Sequence, residues 1–131
     1  MLSQECVREL RSSWLPHLTD SGLSRLIDLL ETGSPLLIHG SFSRAVPMGC
    51  LATHAAWHHP RTQHLTQDAG INWLHGVAHL NPATSYVIRE WDSRSAHDWQ
   101  IRAELLHEFR VERQRRQSAV STVDCEALIE A

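Results

Sequence analysis

Met48-Gly-Cys-Leu-Ala-Thr-His-Ala-Ala-Trp-His-His-Pro-Arg-Thr-Gln-His64 is the stretch whose reading decides the fold. It gathers small residues, a thiol, a tryptophan and four of the ten histidines of the chain. Gly49, Ala52, Ala55 and Ala56 leave room for other helices to come close. Cys50, His54 and His58 recur every four residues on one side. Pro60 cannot continue a helical hydrogen-bond ladder, so a central helix is predicted over about Met48–His59, with Pro47 as its first residue. Trp57 falls on the Cys50/His54 side, away from Leu51 and Ala55. That predicts a helix buried on two sides, or one presenting Trp57 to a partner.

Upstream, Ser3 is a helix cap for a segment running to about Leu15, with Val7, Leu10 and Trp14 on one face and Pro16 closing it. Asp20 or Ser21 caps a second helix, where Leu23, Leu26, Ile27 and Leu30 keep helical spacing and Gly33 suits the position just past the end. The short link predicts that these two helices form an antiparallel pair. Leu36-Leu37-Ile38 has no evident partner strand and reads as a buried extended segment, followed by a loop over 40–46.

Downstream, a polar connection runs from Arg61 to Gln67, and Asp68 caps a helix over roughly Ala69–Leu80. Its apolar face is Trp73, Leu74, Val77 and Ala78, with Asn72, His75, Gly76 and His79 on the other. Asn81 and Pro82 read as cap and first residue of the next helix, which carries Ala83, Val87 and Trp91 inward. Ser95-Ala96-His97-Asp98 resembles a capping box with Asp in the last position, opening a helix to about Arg116. Its expected buried stripe is Trp99, Ala103, Leu106 and Phe109, with ion pairs Asp98–Arg102 and Glu112–Arg116 on the wet face. The expected fold is therefore all-α: a single domain over 1–131, an orthogonal bundle of five to six helices around the central one. Residues 118–131 form a short terminal helix or a tail.

The composition narrows the function classes. At 131 residues, 42% hydrophobic and 21% charged, the chain suffices for one domain with its own core. The charge of −3 gives no general attraction to nucleic acid or anionic lipid. Every one of its 12 bases is arginine, which excludes Schiff-base and P-loop lysine chemistry. No apolar run is long enough to span a bilayer, and the first residues lack the pattern of a signal peptide, so a cytoplasmic protein without a membrane partner is expected. Cys6, Cys50 and Cys125, an odd number without a Cys-x-x-Cys, fit reduced thiols rather than a disulfide framework.

Two His-x-x-x-His pairs are the sharpest chemical signal. Residues four apart on a helix share a face, so His54 with His58 and His75 with His79 are candidate ligands of zinc or another divalent transition metal. Random scatter of ten histidines gives roughly 0.7 such pairs, and neither carries the Glu of a His-Glu-x-x-His metalloprotease. Cys50 falls where helix amides would activate a thiol, but no base is placed against it, and a core thiol is the plainer expectation. The arginines of Arg110–Arg116 alternate with acids and lack an interleaved aromatic, so nucleic-acid binding is not expected. The resulting expectation is a non-catalytic domain acting through protein contacts or self-association. The alternative is metal binding by His54, His58, His75 and His79.

Overall fold

The computed structural model describes residues 2–43, 47–66, 68–94 and 98–130, with side chains to Ala119. Six α-helices follow one another: α1 (Gln4–Glu9), α2 (Asp20–Thr32), α3 (Leu51–Trp57), α4 (Ala69–Gly76), α5 (Tyr86–Asp92) and α6 (Trp99–Glu130). Among the described residues there is no strand, and the protein is an all-helical bundle.

α3 is the centre. Leu51, Ala52, Thr53, His54, Ala55 and Ala56 are all buried, and α4 and α2 pack against it. The helix starts later than its composition predicts, with Cys50 as N-cap. The backbone before it is engaged elsewhere: Gly49 N–H donates to the Leu36 carbonyl (2.9 Å), and Ile38 N–H donates to the Gly49 carbonyl (3.0 Å). Cys50 N–H in turn donates to the Phe42 carbonyl (2.9 Å). The extended segment at Leu36–Ile38 thus finds its partner in the residues that looked helical. Close approach to α4 comes from Gly70: a Cβ there would lie 2.5 Å from Thr53 Oγ1 and 2.9 Å from Thr53 N.

The ends of the other helices are set by partners near and far. Ser3 Oγ accepts from Cys6 N–H (3.1 Å) to open α1. After Glu9 the chain widens into a π-turn over Leu10–Trp14 and tightens into a 3-10 turn over Leu15–His17, around Pro16, which has no N–H to give. Thr19, rather than Asp20 or Ser21, caps α2: its Oγ1 accepts from Gly22 N–H (3.0 Å) and donates to the His58 carbonyl (2.6 Å). Gly33, at φ 61°, ends α2 in the left-handed conformation that glycine adopts without strain. Leu23, Leu26, Ile27 and Leu30 are buried as their spacing predicts. The packing differs from the expected antiparallel pair, since α2 lies chiefly on α6 and α3 while α1 packs on α5.

α5 begins at Tyr86, not at Pro82. Asn81 Oδ1 accepts from Ala83 N–H (2.9 Å) and organises a turn instead of capping a helix. The cap is Ser85, whose Oγ accepts from Ile88 N–H (3.3 Å). Val87 and Trp91 are buried as expected, but Ala83 is exposed.

α6 follows a different stripe from the predicted one. Ile101, Arg102, Leu105, Phe109 and Glu112 are buried, whereas Trp99 is 66% exposed and Ala103 faces solvent. Of the proposed capping box, Ser95–His97 lie outside the described residues. Asp98 Oδ1 accepts from Ile101 N–H (3.2 Å), and its Oδ2 accepts from Arg94 (3.1 Å) in place of Arg102. The Glu112–Arg116 pair does form, at 2.6 Å. No helix among the described residues is long and apolar enough to cross a membrane.

Candidate functional site

In both histidine pairs the second member falls past the last residue of its helix. α3 ends before Pro60 and makes His58 its C-cap, at φ −112°. α4 ends at Gly76: Val77 and Ala78 N–H both converge on the Trp73 carbonyl, and His79 takes a left-handed φ of 58°. His54 is buried, with Nε2 donating to the Leu36 carbonyl (2.8 Å), and His75 and His79 are exposed. The ring of His79 meets that of His17 edge-on, with centroids 5.9 Å apart. Among the described residues, no group of three or more His, Cys, Asp or Glu side chains is placed to hold a metal ion.

Several histidines are instead held neutral. Burial lowers the proton affinity of His54, opposed by its bond to Leu36 and reinforced by Arg25 and His58. Burial likewise lowers His39, His58 and His59. An unfolded chain takes these protons near the ordinary histidine pKa of about 6.5, and the folded chain resists them. Stability should therefore be lost as pH falls below that value. The expected result is a melting temperature lower at pH 5.5 than at pH 7.5, with a shallower pH slope in His54→Gln. An unchanged slope in that variant would remove His54 from the account.

The thiols are similarly quiet. Burial pushes Cys50 up to about 11, although the Thr53 and Ala52 amides oppose it, and pushes Cys6 up to about 12 with help from Glu90. Both are buried core thiols. Three arginines of the Arg110–Arg116 stretch are held within the chain: Arg110 pairs with Glu31 (2.7 Å), Arg115 with Glu112 (2.8 Å), and Arg116 with Glu112 and Asp20.

Where α5, α6 and the extended segment meet, the chain leaves polar groups unmatched. Trp91 is fully buried and ties the three together. Its Nε1 donates to the Ile38 carbonyl (2.7 Å), and its own carbonyl accepts from His39 Nδ1 (2.7 Å). The His39 ring stacks on the indole at 3.7 Å and 15°. The guanidinium carbon of Arg102 lies 5.5 Å from the centroid of the same indole. Arg102 is 4% exposed, and among the described residues neither its Nε nor its Nη1 has a hydrogen-bond partner; His39 Nε2 has none among them either. The nearby acids are taken, Asp92 by Gly40 N–H (2.9 Å) and Asp98 by Arg94 and Ile101. Burial alone lowers the pKa of Arg102, yet a guanidinium stays charged at neutral pH. Removing such a charge from water costs several kcal/mol, while a desolvated cation–π contact returns about 2 kcal/mol. The indole face therefore offsets only part of the cost of burying Arg102. Sequence reading missed it because the α6 stripe was placed in the wrong register; a charged residue between Ile101 and Leu105 was the available signal.

No family model matches this chain, and neither a curated protein nor a solved structure matches it.

Proposed function

We propose that the chain is a non-catalytic helical domain that acts by self-association, pairing with a second copy through α6. The observation that carries this reading is the length of α6, which runs from Trp99 to Glu130. Arg116 holds it to the bundle through the carbonyls of Leu15 (2.7 Å) and Leu18 (2.9 Å). Gln117, Ser118 and Ala119 are exposed, and the helix continues to Glu130. At 1.5 Å per residue the whole helix is about 48 Å long, more than the width of a small domain. Isolated helical segments of about 12–15 residues are marginal in water, so a helix as long as α6 gains from packing along its surface.

Charge favours a second copy in antiparallel alignment. The Arg110–Arg116 stretch is basic on balance, whereas the sequence of the last turns carries Asp124, Glu126 and Glu130. Antiparallel pairing about the Gln117–Ala119 region sets each basic block against the acidic block of the other copy; parallel pairing sets like against like. Beside this helix, Leu2, Val7 and Ala103 line an open depression of about 400 Å³, and Val111 is 49% exposed farther along.

Sedimentation and light scattering of the full chain should report a dimer at micromolar concentration. Ala119→Pro breaks the helix just beyond the body, at a cost of about 3 kcal/mol to that helix. It should give a monomer with reduced helicity and an unchanged melting temperature of the body. A full chain that stays monomeric at every concentration overturns the proposal.

A further inference from the structure

Two turns from distant parts of the chain bring His17 and His79 together. Trp14 and Trp73 are fully buried, and their rings pack with centroids 5.1 Å apart. Each tryptophan also anchors a turn through its carbonyl. Leu18 N–H donates to the Trp14 carbonyl (3.0 Å) and closes the 3-10 turn that carries His17. Val77 and Ala78 N–H donate to the Trp73 carbonyl (both 2.9 Å), and Leu80 N–H donates to the Leu74 carbonyl (2.8 Å) around His79. The two imidazoles thus stand on backbone fixed from the core. They meet edge-on with centroids 5.9 Å apart, His17 half-buried and His79 exposed.

A carbonyl can only accept, so the bond from His17 Nδ1 to the Ser13 carbonyl (2.7 Å) places the proton on Nδ1. Nε2 is left as a lone pair. A bond of this kind to a backbone carbonyl orients metal-ligating histidines and fixes their tautomer. The His79 ring makes no hydrogen bond among the described residues, so either of its nitrogens is open. Its backbone sits at φ 58°, which residues other than glycine seldom adopt and which recurs at functional positions. With metal–nitrogen bonds near 2.0–2.1 Å, two imidazoles on one ion have centroids about 5–6 Å apart at tetrahedral or wider angles. The pair has that separation already. His59, within electrostatic reach of His17, is not a third ligand. Its Nδ1 accepts from Arg61 N–H (3.1 Å), which puts the proton of the neutral ring on Nε2.

We propose that His17 Nε2 and a ring nitrogen of His79 bind one divalent transition metal ion, with water or an incoming ligand in the remaining positions. Imidazole suits Cu2+, Ni2+ and Zn2+, and the general order of affinity puts Cu2+ first. Two protein ligands make an open, exchangeable site, in keeping with the lack of any group of three or more among the described residues. The site is independent of pairing through α6, and of the spacing that places His75 four positions before His79.

The test is titration of the untagged full chain at pH 7.5 with Cu2+, Ni2+, Zn2+ and Mg2+, followed by calorimetry, with electron paramagnetic resonance of the Cu2+ form. One Cu2+ should bind saturably with two nitrogens in its coordination plane, Ni2+ and Zn2+ more weakly, and Mg2+ not at all. His17→Gln and His79→Gln should each weaken binding at least tenfold and leave one nitrogen on the copper. His75→Gln and His107→Gln, at exposed histidines, should stay within twofold. His79→Gly adopts the left-handed conformation freely, so binding should be lost while the unliganded melting temperature holds or rises. No saturable binding of Cu2+, Ni2+ or Zn2+ overturns the proposal, as does binding indifferent to His17→Gln or to His79→Gln. Loss in His75→Gln and His79→Gln with His17→Gln silent also overturns it, and places the ion on the pair four residues apart.

Discussion

Replacing Glu9 with alanine should lower the unfolding free energy by roughly 3 kcal/mol, although Glu9 is a partly exposed acid near the start of the chain. Its carboxylate gathers four donors. Oε2 accepts from Trp14 Nε1 (3.1 Å), the Ser85 hydroxyl (2.7 Å) and Val87 N–H (3.1 Å), and Oε1 accepts from Tyr86 N–H (2.9 Å). The first amides of a helix have no partner within it, and an acid there also meets the positive end of the helix dipole. Glu9 therefore caps α5 across 76 positions of sequence, and at the same time satisfies an indole on the fully buried Trp14. Hydrogen bonds to charged groups contribute about 1.5–3 kcal/mol each, and the loss here strands several donors together. Glu9→Gln keeps the shape and one acceptor oxygen and should lose about half as much. Glu5→Ala, at an exposed position of the same helix, should stay within about 0.5 kcal/mol. Denaturant midpoints at constant slope measure all three. Equal midpoints for Glu9→Ala and Glu5→Ala would dismiss the capping role.

Trp91→Ala should cost more, about 3–5 kcal/mol, the usual range for emptying a buried aromatic position. The indole is 0% exposed and carries the stacked His39 ring and the guanidinium of Arg102. Losing it also strips the Ile38 carbonyl of its donor. The effect should be visible locally. Ile38 N–H and Gly49 N–H, which lock the extended segment to the start of α3, should exchange with solvent faster than those of α2. Trp91→Phe fills most of the volume without the N–H, and should fall between the wild type and Trp91→Ala. If Trp91→Ala melts like Trp91→Phe with Ile38 and Gly49 still protected, the segment is held by its backbone bonds alone.

Local chemistry was readable wherever a residue acts on its own neighbours. Ser3 opens α1, Gly33 closes α2, and the Leu23, Leu26, Ile27 and Leu30 spacing gives the buried face of α2. The small residues of 51–56 marked the most buried helix, because a short run of Ala and Thr at the centre lets neighbours approach from every side. The paired histidines depend on an equally local condition that the i, i+4 count ignores. A helix has to continue through both members of a pair, and Pro60 and the turn after Gly76 end α3 and α4 too soon.

The sequence by itself determined that this chain is helical, where its core helix lies, that Ser3 begins α1 and that Gly33 ends α2, since those depend on backbone sterics and bonds within one turn. The tertiary structure alone decided the rest. Met48–Cys50 could extend the helix or pair with Leu36–Phe42, and pairing won because it satisfies the backbone of both segments at once. α5 starts where Glu9 reaches it, at a distance in sequence that no local pattern records. α6 turns Ile101, Arg102 and Leu105 inward instead of Trp99 and Ala103, because a helix with apolar residues on several faces takes its register from the bundle it packs on. That register buries Arg102 beside Trp91 and His39, and the unmatched charge there exists only once the bundle has closed over it.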